Sequence, residues 1–312
     1  MKLGALGEDR LLDQIFLHLP RVRGGKVFAG LADDCAIVET PRGKKSLVLK
    51  TDCVVEGVHF EHGTKASDVG WKAMMRPLSD FAAASAVPQF ALITLIVPQQ
   101  TKVAWVQRLY QGLGQAADRF KVRIVGGETS NTQGPIAISV TVIGFVEKSR
   151  AASRRGGRSG DDLFVTGRLG GALKRKHLKF IARITESRWL TQNFSIHAMM
   201  DLSDGLGADL PRLARASKVG FDIQMKNLPL ARGATIDSAI SEGEDYELLF
   251  AISQRNRSSL EREWRRKFPK LPLTRIGSLN RKSPVTDAKQ RPGFPSANRK
   301  LPLGYVHFQQ PR

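Results

Sequence analysis

The chain has 312 residues, 41% of them apolar, which is enough for two packed domains or one large one. It carries 49 Lys and Arg against 29 Asp and Glu, a net charge of +20, concentrated in blocks over 148–158, 174–183, 255–267 and 275–300. No apolar run reaches the ~20 residues of a membrane helix, few aromatics interleave with the basic blocks, and Cys35 and Cys53 lack zinc-ligand spacing. These features argue against a membrane partner, a nucleic-acid partner and a zinc protein. The acids Glu8, Asp9 and Asp13 break the stretch where a signal core would sit, so the expected location is cytoplasmic, with reduced thiols. The basic blocks read as solvated faces or as attractors of anionic substrates.

In chain order, 7–19 has the period of an amphipathic helix, with Leu11, Leu12, Ile15 and Leu19 on one side. A loop bearing Asp33 and Asp34 opens onto a strand at 36–38, and a second strand, 46–49, ends at Lys50, Thr51 and Asp52. Residues 67–86 read as a helix capped by Ser67 and kinked or split by Pro77. A strand at 91–97 leads to a helix over 101–120 with Val103, Val106, Tyr110, Leu113 and Ala117 on one face. A strand at 122–125 ends in Gly126, Gly127 and Glu128, and a long strand covers 136–146. This β-α-β-α-β-β order implies an α/β or α+β layer with helices on one face of a sheet.

The basic, Ser- and Gly-rich run 148–160 is the expected domain boundary, dividing the chain into 1–148 and 149–312. Beyond it, strands are expected at 163–166, 198–200, 221–225 and 248–252, and a charged helix at 258–268. A helix over 208–216 should stop at Gly220, with Arg212, Arg215 and Lys218 in its last turn. The stretch 287–300 reads as a surface loop.

Acids recur at element ends beside Gly, Ser or Thr: Asp33 and Asp34, Asp52, Asp80, Glu128, Asp201 and Asp204, Glu244 and Asp245. Each alone is more often a cap or turn residue; their joint recurrence is the signal. Asp201, Ser203 and Asp204 form the densest group, at a strand-to-helix junction where open α/β sheets bind ligands. Carboxylates gathered without His or Cys suit a hard, oxygen-liganded cation, magnesium rather than zinc. With no phosphate-binding loop of the G-x-x-x-x-G-K-[ST] type, metals would have to hold the phosphates of any nucleotide.

Taken in order, Asp33-Asp34-Cys35-Ala36, Thr51-Asp52, Gly57-x-His59-Phe60, Leu78-Ser79-Asp80, Gly126-Gly127-Glu128-Thr129, Asp201-Leu202-Ser203-Asp204 and Gly243-Glu244-Asp245-Tyr246 resemble the motifs of the thiamine-monophosphate kinase family, within the aminoimidazole-ribonucleotide-synthetase superfamily. The resemblance spans nearly the whole chain. It implies a two-domain synthetase-like α/β (α+β) fold: an N-terminal mixed sheet with helices on one face, serving ATP, magnesium and dimerisation, and a C-terminal α/β domain. It implies direct transfer of the γ-phosphate of ATP to thiamine monophosphate. By position, Asp34, Thr51, Asp52, Asp80, Glu128, Asp201 and Asp204 would hold Mg2+, with Asp52, Asp80 and Asp204 central to catalysis. Tyr110, Gly127, Glu128, Arg154 and Ser203 would serve the nucleotide, and His59 and Glu244 the thiamine phosphate. A homodimer is implied as well.

The chain departs from the family pattern at Ala32, Lys50, Pro77, Glu128 and Glu242, where Gly, Ser, Asn, Asp and Gly are usual, and the segment after Gly167 is short. The family's C-terminal aromatic aligns near Pro302, with Tyr305 and Phe308 close by. A phosphotransferase with another acceptor and a nucleotide-binding homologue without catalysis are the alternatives. Selenophosphate synthetase would want a reactive Cys in a Gly-rich N-terminal loop, and the hydrogenase-maturation relative a C-terminal Cys.

Overall fold

Strict alternation of buried and half-buried residues along β6 (Ala137–Glu147) is the mark of a strand with one covered face. In the computed structural model, residues 27–281 are described except 31–32 and 41–42, together with 11, 12, 14, 15, 17 and 18. The helix expected over 7–19 lies mostly outside them. So do the loop 287–300, Ala32, Pro302, Tyr305 and Phe308.

The first sheet contains β1 (Val27–Ala29), β2 (Ala36–Glu39), β3 (Lys45–Val55), β6, β4 (Val87–Val97) and β5 (Arg123–Asn131), in the spatial order β1-β2-β3-β6-β4-β5. It is mixed, because β4 and β5 run parallel and the other neighbours antiparallel. Helices α1 (Ala66–Ala83) and α2 (Val103–Arg119) cover one face. The opposite face is open, with Leu92 and Val125 among its exposed apolar residues.

The second sheet has β8 (Ile196–Asp201), β10 (Leu248–Ser253), β7 (Asp161–Thr166), β11 (Leu273–Asn280) and β9 (Gly220–Ile223), all antiparallel. Every residue of β7 is buried, so this sheet is covered on both faces. Strand alternation sorts its side chains between two cores. Phe164, Met199 and Phe250 join the core around α1, while Leu163, Val165, Met200 and Leu249 join the core under α5 (Leu206–Ser217). The remaining helices are α3 (Ala172–Arg175), α4 (Ile184–Asn193), α6 (Ile236–Ser241) and α7 (Arg257–Lys267). Buried Asp162 on β7 is neutralised by Arg257 (2.6 and 2.8 Å) and Arg275 (2.6 Å).

Several local expectations change. Ser67 does not cap α1: Lys65 holds the cap position, without a side-chain bond. Pro77 does not split α1, which runs unbroken because packing on several sides outweighs the one lost hydrogen bond. Strand β3 continues through Lys50, Thr51 and Asp52 instead of ending there, since it pairs with β6 along its whole length. Strand β5 likewise runs on through Gly126–Asn131, paired with β4. A Cβ on Gly127 would collide with the Ile93 carbonyl, so only glycine allows that approach. On α2 the buried stripe is Leu109, Gly112, Leu113, Ala116 and Ala117, and Val103 and Tyr110 are exposed. Lys218, with φ +58°, closes α5 in the left-handed conformation, and Gly220 already belongs to β9. Met225 lies in a single helical turn beyond β9.

Helices α1 and α2 meet backbone to backbone. A Cβ on Gly112 would strike the Ser67 carbonyl, and one on Gly70 the Leu109 carbonyl. Gly112→Ala should therefore cost about 1–3 kcal/mol by overpacking, despite the better helix propensity of Ala. Urea unfolding should show a lower midpoint at an unchanged slope; a wild-type midpoint would mean that the helices slide apart freely.

Candidate active site

Three element ends converge. Asp34 lies in the turn before β2, Asp80 near the end of α1 and Asp201 at the end of β8; all three are buried, with one carboxylate oxygen from each within 4.8 Å of the others. Ser79 Oγ donates to Asp201 Oδ2 at 2.6 Å. Lys50 Nζ lies 3.0 Å from Asp80 Oδ2. Arg154 donates to Asp34 Oδ1 through Nε at 3.0 Å and Nη2 at 2.5 Å, and its backbone N–H reaches Asp33 Oδ1 at 2.9 Å. Burial pushes the Asp80 carboxyl well above the usual carboxylate range; Lys50 opposes this, and Asp201, Asp52 and Asp34 add to it. Burial, with Asp34, lifts Asp201 to about 7 against the pull of Ser79 and Lys50.

This cluster fits a hard cation. Its donors are carboxylate oxygens with no imidazole among them, and Asp34 Oδ2 is buried without a hydrogen-bond partner. Burial and the surrounding acids push the thiol of adjacent Cys35 well above its normal range.

Not every expected residue joins the cluster. Asp52, on the Lys50 face of β3, does border it: its carboxyl is within hydrogen-bond reach of Asp80 and stands 3.7 Å from Arg76 Nη2 through Oδ1. Thr51 points to the other face, where its hydroxyl meets Thr141 at 3.0 Å and Ser139 at 3.2 Å. Gly127 and Glu128 lie on β5, three strands from Asp52 along the register Asp52–Val140–Ile93–Gly127. At ~4.8 Å per strand that is roughly 14 Å, so neither reaches Asp80 within this chain. Glu128 instead accepts from Ser130 Oγ at 3.3 Å. Tyr110 is exposed on α2, away from the cluster.

The stretches 201–205 and 242–247 lie side by side. Leu202 N–H donates to Glu247 O (2.9 Å), Tyr246 N–H to Leu202 O (2.8 Å) and Glu244 N–H to Ser203 O (2.7 Å). Glu244 and Tyr246 have φ of +66° and +50°, a costly conformation for non-glycine residues and one that gathers at functional sites. Gly205 takes the cap position of α5, with no side-chain cap. Asp201, Ser203 and Asp204 are therefore not spent on capping. Arg212 does not serve the last turn of α5; it folds back to bridge Asp204 and Asp209.

Ser203, Asp204, Glu244 and His59 line a cavity of about 470 Å³, walled also by Phe60, Arg76, Leu178 and Tyr246. His59 Nδ1 accepts from the Val55 N–H at 3.1 Å. Glu244 Oε2 is 2.5 Å from Lys72 Nζ and 3.0 Å from His177 Nδ1. Burial alone would raise the Glu244 carboxyl; His177 and Lys72 reverse that and hold it below its ordinary value. Lys72, Arg76 and His177 escaped the sequence reading. The available signal was spacing: Lys72, Arg76 and Asp80 recur every four residues, one stripe on α1.

Residues 32–146 match AIR synthase related protein, N-terminal domain, and 148–258 match its C-terminal domain. A thiamine-monophosphate kinase of Rhodopirellula baltica is 33% identical over 317 residues, covering 95% of this chain and 97% of the relative. One from Aquifex aeolicus is 34% identical, covering 99% and 100%. The chain belongs to the thiamine-monophosphate kinase family. A solved structure of AaThiL complexed with AMPPCP and TMP superimposes with a TM-score of 0.79 at 32% identity, covering 98% of this chain and 99% of that one. Measured against the family pattern, the short stretch after Gly167 is held compactly: Lys176 (2.9 Å) and Arg183 (2.7 Å twice) both seize Glu247.

Asp201 yields a stability test. Between about pH 4 and 7 the native, metal-free protein keeps a proton on Asp201 that the unfolded chain has shed, the ordinary value being 3.8. The stability contributed by that proton is present at low pH and lost as pH rises through about 7. Asp201→Asn should therefore raise the melting temperature of metal-free protein at pH 8 by about 2–4 °C, and by less at pH 5. It should also abolish any rise that magnesium gives the wild type. Equal destabilisation at both pH values would mark Asp201 as purely structural.

Proposed function

We propose that the chain transfers the γ-phosphate of ATP directly to thiamine monophosphate, giving thiamine diphosphate and ADP, with magnesium. The observation that carries this reading is the buried Asp34–Asp80–Asp201 cluster, from whose elements Arg76 of α1 and Ser203 and Asp204 after β8 extend to line a cavity with an apolar and aromatic wall. Phosphoryl transfer asks a protein mainly to bring two anions into line and to offset their repulsion. Magnesium held by Asp34, Asp80 and Asp201 would supply that positive charge. Asp52 and Asp204 stand at the rim, each now paired with an arginine that a metal would displace. Arg154 orients Asp34 and would offer its guanidinium to a nucleotide phosphate. Ser203 and Asp204 line the cavity and follow Asp201 of the cluster closely in the chain. His59, Glu244 and Tyr246 face the acceptor, whose rings suit Phe60, Leu178 and Tyr246.

The open face of the first sheet, with Leu92 and Val125 exposed, favours a homodimer. Pairing through that face would bring Gly127 and Glu128 to a neighbouring chain's nucleotide. The division at 148/149, a cytoplasmic location and the absence of a nucleic-acid partner belong to the same reading. Among the described residues no helix is long and apolar enough to cross a membrane.

The deciding assay measures ADP formed from ATP and magnesium with thiamine monophosphate, with thiamine, and with no acceptor. Stoichiometric ADP and thiamine diphosphate are expected with thiamine monophosphate alone. ADP release indifferent to the acceptor would reject it.

Lys50 stands where the family pattern has Ser, and its ammonium, 3.0 Å from Asp80 Oδ2, supplies one positive charge inside the cluster. Lys50→Met should lower turnover at least about tenfold, as loss of a charged contact in a buried site does. Lys50→Ser should shift half-saturation by magnesium to higher concentration. Wild-type turnover and magnesium dependence in Lys50→Met would show that the ammonium plays no part.

A further inference from the structure

Helix α1 presents Lys72, Arg76 and Asp80 as one stripe that runs from the cavity to the carboxylate cluster. The two ends of the stripe are already engaged. Lys72 Nζ donates to the His59 carbonyl at 2.6 Å and to Glu244 at 2.5 Å, and Asp80 is held by Lys50. Arg76, between them, is engaged differently. Its Nη1 donates to the Cys53 carbonyl at 3.2 Å, its Nη2 stands 3.7 Å from Asp52 Oδ1, too long for a good hydrogen bond, and its Nε is buried without a hydrogen-bond partner. A guanidinium carries five N–H donors in a rigid fork, so most of this one's capacity is unused.

The cavity wall makes that capacity meaningful. Glu61, Asp204 and Glu244 line it, and among its described lining residues Arg76 is the one Lys or Arg. Glu244 and Asp204 are already balanced by Lys72 and Arg212, so those cations are spent, and an acceptor ending in a phosphate needs a further one at the end nearest the metals. We propose that Arg76 is the receptor for the acceptor's phosphate monoester, gripping two of its oxygens through the guanidinium fork and leaving the third directed toward the carboxylate cluster. This rests on the reading of the chain as a kinase of a phosphorylated acceptor. In the transfer, the free acceptor oxygen forms a bond to the γ-phosphorus while the bond from that phosphorus to the bridging oxygen of ATP breaks. The electron pair leaves on ADP, and no oxidant or reductant is needed. Arg76 thereby selects the phosphorylated acceptor over its unphosphorylated alcohol.

The test is calorimetric titration of the full-length protein, wild type, Arg76→Met and Arg76→Lys, with thiamine monophosphate and with thiamine, beside steady-state KM values for ATP. Arg76→Met should weaken thiamine monophosphate by about 10- to 100-fold while leaving thiamine affinity and the KM for ATP unchanged. Arg76→Lys should restore part of the loss, since it keeps the charge but not the fork. Unchanged discrimination between the two ligands in Arg76→Met overturns the inference, and so does equal loss of both, which would mark a structural role. Failure of the kinase reading looks different: the wild type itself would then not distinguish thiamine monophosphate from thiamine.

Discussion

Burial of α1 on nearly all sides is the constraint on which the rest of the molecule depends. Fourteen of its eighteen residues are buried, among them Lys72, Ser79 and Asp80. A helix so enclosed leaves its polar side chains nowhere to reach water, so each needs a partner fixed by the surrounding fold. Lys72 takes Glu244 from the second half of the chain, Ser79 takes Asp201, and Asp80 takes Lys50 from β3. Polar groups inside a core select one arrangement, because any slip of α1 would strand them. The geometry of the site is therefore a consequence of how the helix is packed.

The electrostatics of the cluster follow from the same enclosure. Three carboxylates within 4.8 Å would be poorly tolerated in a dry interior if all were ionised, and the basic side chains around them offset only part of the charge. Lys50 meets Asp80 and Arg154 meets Asp34, yet Asp201 still titrates near 7. The site is thus short of positive charge, a shortfall suited to divalent ions that arrive with a polyphosphate. The high net charge of the chain acts over longer range on anionic ligands.

Much of this was legible in the sequence. Apolar alternation located the strands, and acids at element ends located Asp34, Asp80 and Asp201, because a strand or helix end is where a side chain meets both a sheet and a cleft. What escaped had non-local causes. The strand character of Lys50–Asp52 and Gly126–Asn131 is set by pairing with β6 and β4, which no local residue announces. Tyr110 and Val103 fit a helical face as well as Leu109 and Ala116 do, and only the position of α1 decides which face is covered. Arg76 looked like one more base in a basic chain; its meaning comes from the acids that line the cavity across from it. Thr51 and Glu128 sit in motifs of the same style as those of the cluster residues, but strand alternation and sheet order carry them elsewhere.

Helix α1 also bears on how the chain came to be built. Its apolar residues belong to one core with Phe164, Met199 and Phe250 of the second sheet. That sheet lies in the second half of the sequence, and although Leu190, Leu260 and Trp264 of its own helices share this core, part of the face is buried only by a helix from the first half. Severed near residue 148, it would expose that face to water, and each half would be an aggregation-prone fragment rather than a module. A gene fusion or shuffling event could therefore transplant the two sequence segments only together, and the interior they share would have been inherited as a single unit.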